Sequence, residues 1–254
     1  MASTQVALGI AGRSLKLIPR LPSTFIPSLV MPVFLTIAFS GPFSGLVRLP
    51  GFPAVKIIDW VVPMTTLMGS AFAGVTTGMG VARDLETGFY DRLLASPVKR
   101  SALIGGTLLA AVCRALIPIC LLLVVALIGR AHFFGGLAGI GVLALAGFGM
   151  AFLAGCWAMS LALRFKSLQA APLMAVGIFI TVFLSTAQMP LEFLTGWLHT
   201  VARFNPMTNI LALARQGFLG DVTWQHTWPG LVSLAGMATL LFAFAARSMQ
   251  KVIP

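Results

Sequence analysis

Residues 101–129 read SALIGGTLLAAVCRALIPICLLLVVALIG, an apolar run broken by one charge, Arg114. A helix needs about 20 apolar residues to cross roughly 30 Å of hydrocarbon, and this run exceeds that length. Lipid supplies no hydrogen-bond partner to an open backbone, so the run is read as a membrane-spanning helix. Outward from it the same reading repeats. Upstream, Trp60 to Ala82 lies between Asp59 and Arg83, and Leu21 to Phe43 lies between Arg20 and Arg48. Downstream, apolar stretches run from Arg130 to Arg164, from Lys166 to Glu192 and from Asp221 to Arg247. The expected fold is therefore all-α and polytopic, with six transmembrane helices.

Composition supports the same class. The chain is 58% hydrophobic and 9% charged, where a soluble domain carries roughly a quarter charged residues. Its formal charge of +11 raises the question of nucleic acid. The Lys and Arg residues sit between apolar runs instead of forming one patch interleaved with aromatics, so no nucleic-acid partner is expected. Cys113, Cys120 and Cys156 fall inside apolar segments and match neither a disulfide framework nor a zinc signature. Pro27, Pro32, Pro63, Pro118 and Pro172 interrupt spans, where kinks are expected. Gly74, Gly78 and Gly80, with Gly135, Gly139, Gly141, Gly147, Gly149 and Gly155, are read as close helix contacts.

Orientation follows from the flanking cations. With both ends cytoplasmic, the inside receives Arg13, Lys16, Arg20, Arg83, Arg92, Lys99, Arg100, Arg164, Lys166, Arg247 and Lys251, and the outside receives Arg48, Lys56, Arg130, Arg203 and Arg215. That asymmetry favours an even number of spans with both termini inside, in the plasma or inner membrane. Before the first span, Gln5, Arg13, Lys16 and Arg20 share one face at 100° per residue. Val6, Leu8, Ile10, Leu15, Leu17 and Ile18 share the other, the pattern of an amphipathic interfacial helix over residues 1–20. A cleavable signal peptide is the rival, but it needs a shorter apolar core and a small-residue cleavage site. No repeat or linker divides the chain, and residues 1–254 are read as one transmembrane domain.

Two polar segments stand out. Residues 83–100, RDLETGFYDRLLASPVKR, hold three of the six acidic residues. Leu85, Phe89 and Leu93 recur at i, i+4 and i+8, so a short helix here carries an apolar ridge, and Ser96-Pro97 ends it. Such a helix is either a solvated loop element at the headgroups or a docking element anchored by exposed Phe89 and Tyr90. Residues 192–221 form the second segment: Trp197, Leu198, Val201 and Phe204 share one helical side, and Asn205-Pro206 reads as a cap and first residue of another helix. Both pieces belong at the outer interface, as interfacial helices or as a gate. Arg114, the one charge well inside a span, must face protein, water or a partner; it binds a cargo group or carbonyls freed near Pro118. His132, His199 and His226, with Trp197, Trp224 and Trp228, resemble an interfacial belt more than a catalytic cluster.

The run Glu86-Thr87-Gly88-Phe89-Tyr90-Asp91-Arg92-Leu93-Leu94-Ala95-Ser96-Pro97-Val98 closely resembles the acidic-x-Gly…acidic-x-Leu-Leu-x-x-Pro signature of type-2 ATP-binding-cassette exporter permeases. The stretch from Met189-Pro190 through Trp197, Phe204, Asn205 and Pro206 to Arg215 resembles the same family's outer-face segment. The resemblance implies a permease that moves a hydrophobic or amphipathic substrate (drug, lipid or glycolipid) out of the cell. Glu86, Thr87, Gly88, Phe89, Tyr90, Asp91, Arg92, Leu93 and Leu94 would then form the coupling helix. Arg114 is a candidate for the substrate path, and Trp197, Phe204, Asn205 and Pro206 for an outer gate. No Gly-x-x-x-x-Gly-Lys-[Ser/Thr] phosphate cradle occurs in the sequence, so ATP and magnesium are expected on a separate ATPase subunit. A second permease copy or paralogue completes the expected assembly. No catalytic, cofactor or metal residue is expected. The alternatives are a membrane enzyme using Asp84, Glu86 and Asp91 around magnesium, whose first two side chains point about 200° apart on a helix, and a secondary transporter, which places acids near the midplane.

Overall fold

The computed structural model describes residues 3–16, 22–90, 100–220 and 222–250, and all regular structure among them is helical. In order these are α1 (Ser3–Lys16), α2 (Pro22–Ser40), a 3-10 segment (Pro42–Arg48), α3 (Ile57–Glu86), α4 (Arg100–Ile128) and α5 (Gly136–Phe165). A 3-10 turn (Leu168–Ala170) leads into α6 (Ala171–Phe183). Another (Leu191–Phe193) precedes α7 (Gly196–Phe204), α8 (Pro206–Leu219) and α9 (Trp224–Gln250).

Among the described residues, α3, α4, α5 and α9 are each long and apolar enough to cross a membrane. The second half of α2 and the 3-10 segment after it, bent by 54°, make a fifth if taken as one span. The fifth run expected from sequence is shorter. Its helix covers Leu168–Phe183, about 24 Å at 1.5 Å per residue, and the chain then turns irregularly through residues 184–190.

Helix α3 forms the centre, packed by α2, α4, α5, α6 and α8 and buried along most of its length. Small residues make that possible. A Cβ added at Gly74 would lie 2.6 Å from the Gly155 backbone nitrogen, and one at Gly78 would lie 2.7 Å from the Ala158 carbonyl carbon, so α3 and α5 touch backbone to backbone. Gly80 and Gly141, expected in the same role, have nothing within 4 Å of an added Cβ; they face away from the seam. Between α2 and α3, buried Thr36 and Thr65 share a 2.8 Å hydrogen bond.

Helix α1 lies on α4, with the Ala7 carbonyl 2.6 Å from a Cβ built at Gly106. Gln5, Arg13 and Lys16 are exposed, and Ala11 is buried. Leu8, placed by pattern on the apolar face, is 57% exposed, because α4 covers only the strip around Ala7 and Ala11. Arg114 reaches back from α4 and donates to the carbonyl and hydroxyl oxygens of Ser14. A last-turn carbonyl with no helical partner is the acceptor that a cation best serves, so this arginine binds the end of α1 and not the carbonyls near Pro118. Leu17, Ile18 and Arg20 lie outside the described residues.

Candidate functional site

Two clusters of polar contacts between elements, the Glu86 pole and the Trp60 pole, lie at the two ends of α3. At the Glu86 pole α3 ends where Thr87 caps it and Gly88 takes φ +66°, a left-handed conformation that glycine adopts without a Cβ penalty. The ridge expected through Leu85, Phe89 and Leu93 is therefore split. Leu85 closes the buried face of α3, while Phe89 begins the next segment beyond the turn. Asp91, Arg92, Leu93 and Leu94 lie outside the described residues.

The two acids before the turn point to different partners. Asp84 receives a bidentate pair from Arg13 of α1, at 2.7 and 2.9 Å. The Asp84 hydrogen bonds raise the Arg13 pKa above its ordinary value, against the lowering effect of burial. The same guanidinium lies 4.0 Å from the centre of the Phe89 ring. Glu86 accepts instead from the Ser167 hydroxyl at 2.9 Å and the Leu168 N–H at 2.7 Å, which caps the helical segment leading into α6. Ser167 also accepts from the Gln169 N–H at 3.2 Å. The turn between α5 and α6, unconnected to α3 in sequence, is thus tied to it through Glu86.

These contacts correct the picture of two exposed aromatic anchors. Tyr90 is 4% exposed; burial pushes its phenol pKa up, and the Asp84 charge adds to the shift. Phe89 is half-buried beneath Arg13. What this pole offers at its surface is Glu86 and Thr87, with the cations Arg13, Lys16, Arg83, Arg164 and Lys166 around them. Of the three acids weighed for a magnesium site, Asp84 and Glu86 thus face different partners, and Asp91 is outside the described residues.

At the Trp60 pole the irregular stretch after α6 carries carbonyls that no helix satisfies. Three side chains from three elements serve them. Arg215 of α8 donates at 2.7 Å to the Thr186 carbonyl and at 2.7 Å to that of Ala187, while its Nε donates to the Trp60 carbonyl at 3.3 Å. Its guanidinium stacks 3.5 Å from the Trp60 ring centre, and the residue is 2% exposed. The Trp60 indole N–H donates to Gln188 at 3.2 Å. Asn205 accepts from the Met207 N–H at 2.9 Å, so it is the expected cap of α8 with Pro206 following. Its amide also donates to the Thr181 and Leu184 carbonyls at 2.8 and 3.0 Å. One side chain therefore starts α8 and closes α6.

Arg215, counted above as a flanking cation, is withdrawn into protein, and that sharpens the charge difference between the poles. Buried Asp59 accepts from the Lys56 N–H at 3.0 Å and the His132 N–H at 2.7 Å, with the His132 ring at 3.3 Å. Lys56 in turn donates to the Arg130 carbonyl at 2.7 Å. Only its place in the first turn of a helix marked Asp59 in the sequence. Trp197 and Phe204 of α7 are 70% and 80% exposed, so they face outward from the fold while Asn205 turns toward α6 and Pro206 is half-buried. Trp224 and Trp228 are exposed at the start of α9.

Residues 53–247 match the family described as ABC-2 family transporter protein. The chain is also 25% identical over 207 residues to the probable multidrug ABC transporter permease YbhR of Escherichia coli (strain K12), an alignment covering 76% of this chain and 53% of that protein. The same identity and coverage hold for the YbhR protein of Escherichia coli O157:H7. The chain thus spans about half the length of the curated relatives it matches.

Proposed function

This chain belongs to the ABC-2 transporter family, and from that membership we propose that it is the membrane-spanning subunit of an ATP-driven exporter whose ATPase is a separate polypeptide. The observation that carries the proposal is the arrangement at the Glu86 pole. The acidic-Gly turn of the signature ends the most central helix, and its flanking acids hold α1 on one side and the start of α6 on the other. A push delivered to the segment after Gly88 reaches three elements at once. In this reading the Glu86 pole is cytoplasmic, Glu86 to Leu94 seat in the ATPase, and ATP-driven closure of two ATPases moves α3 within a pair of permease chains. The exposed cations of that pole support the orientation.

The cargo is a hydrophobic or amphipathic molecule such as a drug, lipid or glycolipid, consistent with the multidrug permeases it resembles and with span surfaces that are almost entirely apolar. Arg114, engaged with Ser14, serves α1 in this conformation instead of the cargo. Asn205 and Pro206 belong to an outer closure, with Trp197 and Phe204 set in the lipid interface or against a second copy.

Two measurements test the reading. A cysteine placed at exposed Thr87 should react with a membrane-impermeant maleimide only after the cells are permeabilised. Co-reconstitution with a partner ATP-binding-cassette ATPase should give export that requires ATP. Labelling of intact cells at residue 87, or full transport without any ATPase, overturns the proposal.

A further inference from the structure

Helix α6 stops at Phe183, yet Ser185, Thr186 and Ala187 beyond it are buried. Buried backbone outside a helix persists only where protein satisfies its polar groups or where it borders a cavity. Here it does both. Arg215, Trp60 and Asn205 supply five hydrogen bonds to the carbonyls of residues 181–188. On its other side, Ala187 and Gln188 form one wall of a small recess whose remaining lining, including Phe39, Phe43, Val61 and Met64, is apolar.

The choice of an arginine for this task needs a reason. Burying a cation is costly unless it is well paired, and no carboxylate is among Arg215's hydrogen-bond partners in the described residues. Asp59, the buried acid at this pole, is engaged with Lys56 and His132. A neutral donor would brace a static turn more cheaply. What the planar guanidinium adds is a fork for two successive carbonyls together with a face that stacks on Trp60. All its partners are carbonyl dipoles, and two of the three lie on the turn itself, so a rotation of two peptides releases the grip without separating an ion pair.

We propose that the turn at residues 184–190 is the movable outer seal of the transport path, and that Arg215, backed by Trp60, is the positioning residue that holds it closed. The proposal rests on the exporter reading above. With the seal closed, the recess ends blindly against Ala187 and Gln188; when the two carbonyls swing off Arg215, it opens toward the outer face.

The test uses Ala187→Cys, 1% exposed in this conformation, in the full-length chain with Cys113, Cys120 and Cys156 replaced by Ala. A membrane-impermeant maleimide is added from outside, without ATP turnover. Arg215→Lys keeps the charge and loses the fork, and it should raise the labelling rate at residue 187 by roughly tenfold or more, the factor for one charge-assisted hydrogen bond. Trp60→Phe keeps a ring and loses the indole donor, and it should raise the rate by a smaller factor. Ala202→Cys, buried at the same pole, reports general loosening and should stay unlabelled in both variants. Equal rates at residue 187 in parent and variants, or unmasking of residue 202 in parallel, overturn the proposal. If Arg215→Lys does not fold, Trp60→Phe decides alone. ATP-dependent export by the parent complex is measured separately: its absence with labelling shifted as expected defeats the exporter reading, and its presence with labelling unmoved defeats the seal.

Discussion

Glycine-to-alanine exchange along α3 should change sign within two turns of the same helix. At Gly74 an added Cβ would stand 2.6 Å from the Gly155 nitrogen and 2.9 Å from the Ala154 Cβ, with the Ala151 carbonyl oxygen nearer still. Ordinary contact begins at 3.4 Å, so α3 and α5 would have to part by about 0.8 Å or more across a seam packed to the density of a crystal. Two of the obstructing atoms are backbone and cannot turn aside. Overpacking of this kind costs about 1–3 kcal/mol, and Gly78→Ala meets the Ala158 backbone in the same way. At Gly80 a Cβ meets nothing within 4 Å. Exchange there removes unfolded-state freedom and should be neutral or stabilising by up to about 1 kcal/mol. The assay is a denaturation midpoint of the purified protein in one detergent, read by tryptophan fluorescence and by loss of monodispersity. A Gly74→Ala midpoint equal to that of Gly80→Ala would refute the close α3–α5 contact.

Three further outcomes follow from the poles. Asn205→Ala removes the α8 cap and leaves the Thr181 and Leu184 carbonyls without their donor; it should cost about 2–4 kcal/mol, measured by the same midpoint. Reversal of one partner of Arg13–Asp84 should lower the midpoint by no more than about 1 kcal/mol, since the Arg13 side chain is 44% exposed. The exchanged pair Arg13→Asp with Asp84→Arg should recover part of it, and a double-mutant cycle with no coupling would remove the pair from the account. Glu86→Ala unties the Ser167–Leu168 segment from α3 and should leave ATP hydrolysis by the reconstituted complex running while export falls at least roughly tenfold; wild-type export in that variant counts against transmission through Glu86.

The spans were legible because lipid enforces a simple rule, and α3, α4, α5 and α9 begin and end within a few residues of the charges that bracket the apolar runs. Asn205-Pro206 was legible for a local reason, since cap and first helical residue are neighbours in sequence. The short α6 was not. Hydropathy measures how well a segment likes lipid and says nothing of where its helix stops, and the turn after Phe183 survives because Trp60, Asn205 and Arg215 arrive from elsewhere in the chain. Arg215 itself reads as a surface cation, and its burial depends on a carbonyl 155 positions away. Tyr90 reads as exposed because it sits in a charged segment, yet it is buried at the Glu86 pole with Asp84 close enough to shift its phenol.

The truncated α6 also shapes whatever surrounds it. Leu173, Val176 and Ile180 form an outward apolar strip whose helix rises only about 24 Å, while neighbouring α5 is nearly twice as long. Acyl chains that settle against that strip must compress by several ångströms relative to an ordinary leaflet pair. Short-chained phospholipids meet it with less strain than long saturated ones, which makes bilayer thickness a physical variable to which this side of the protein responds.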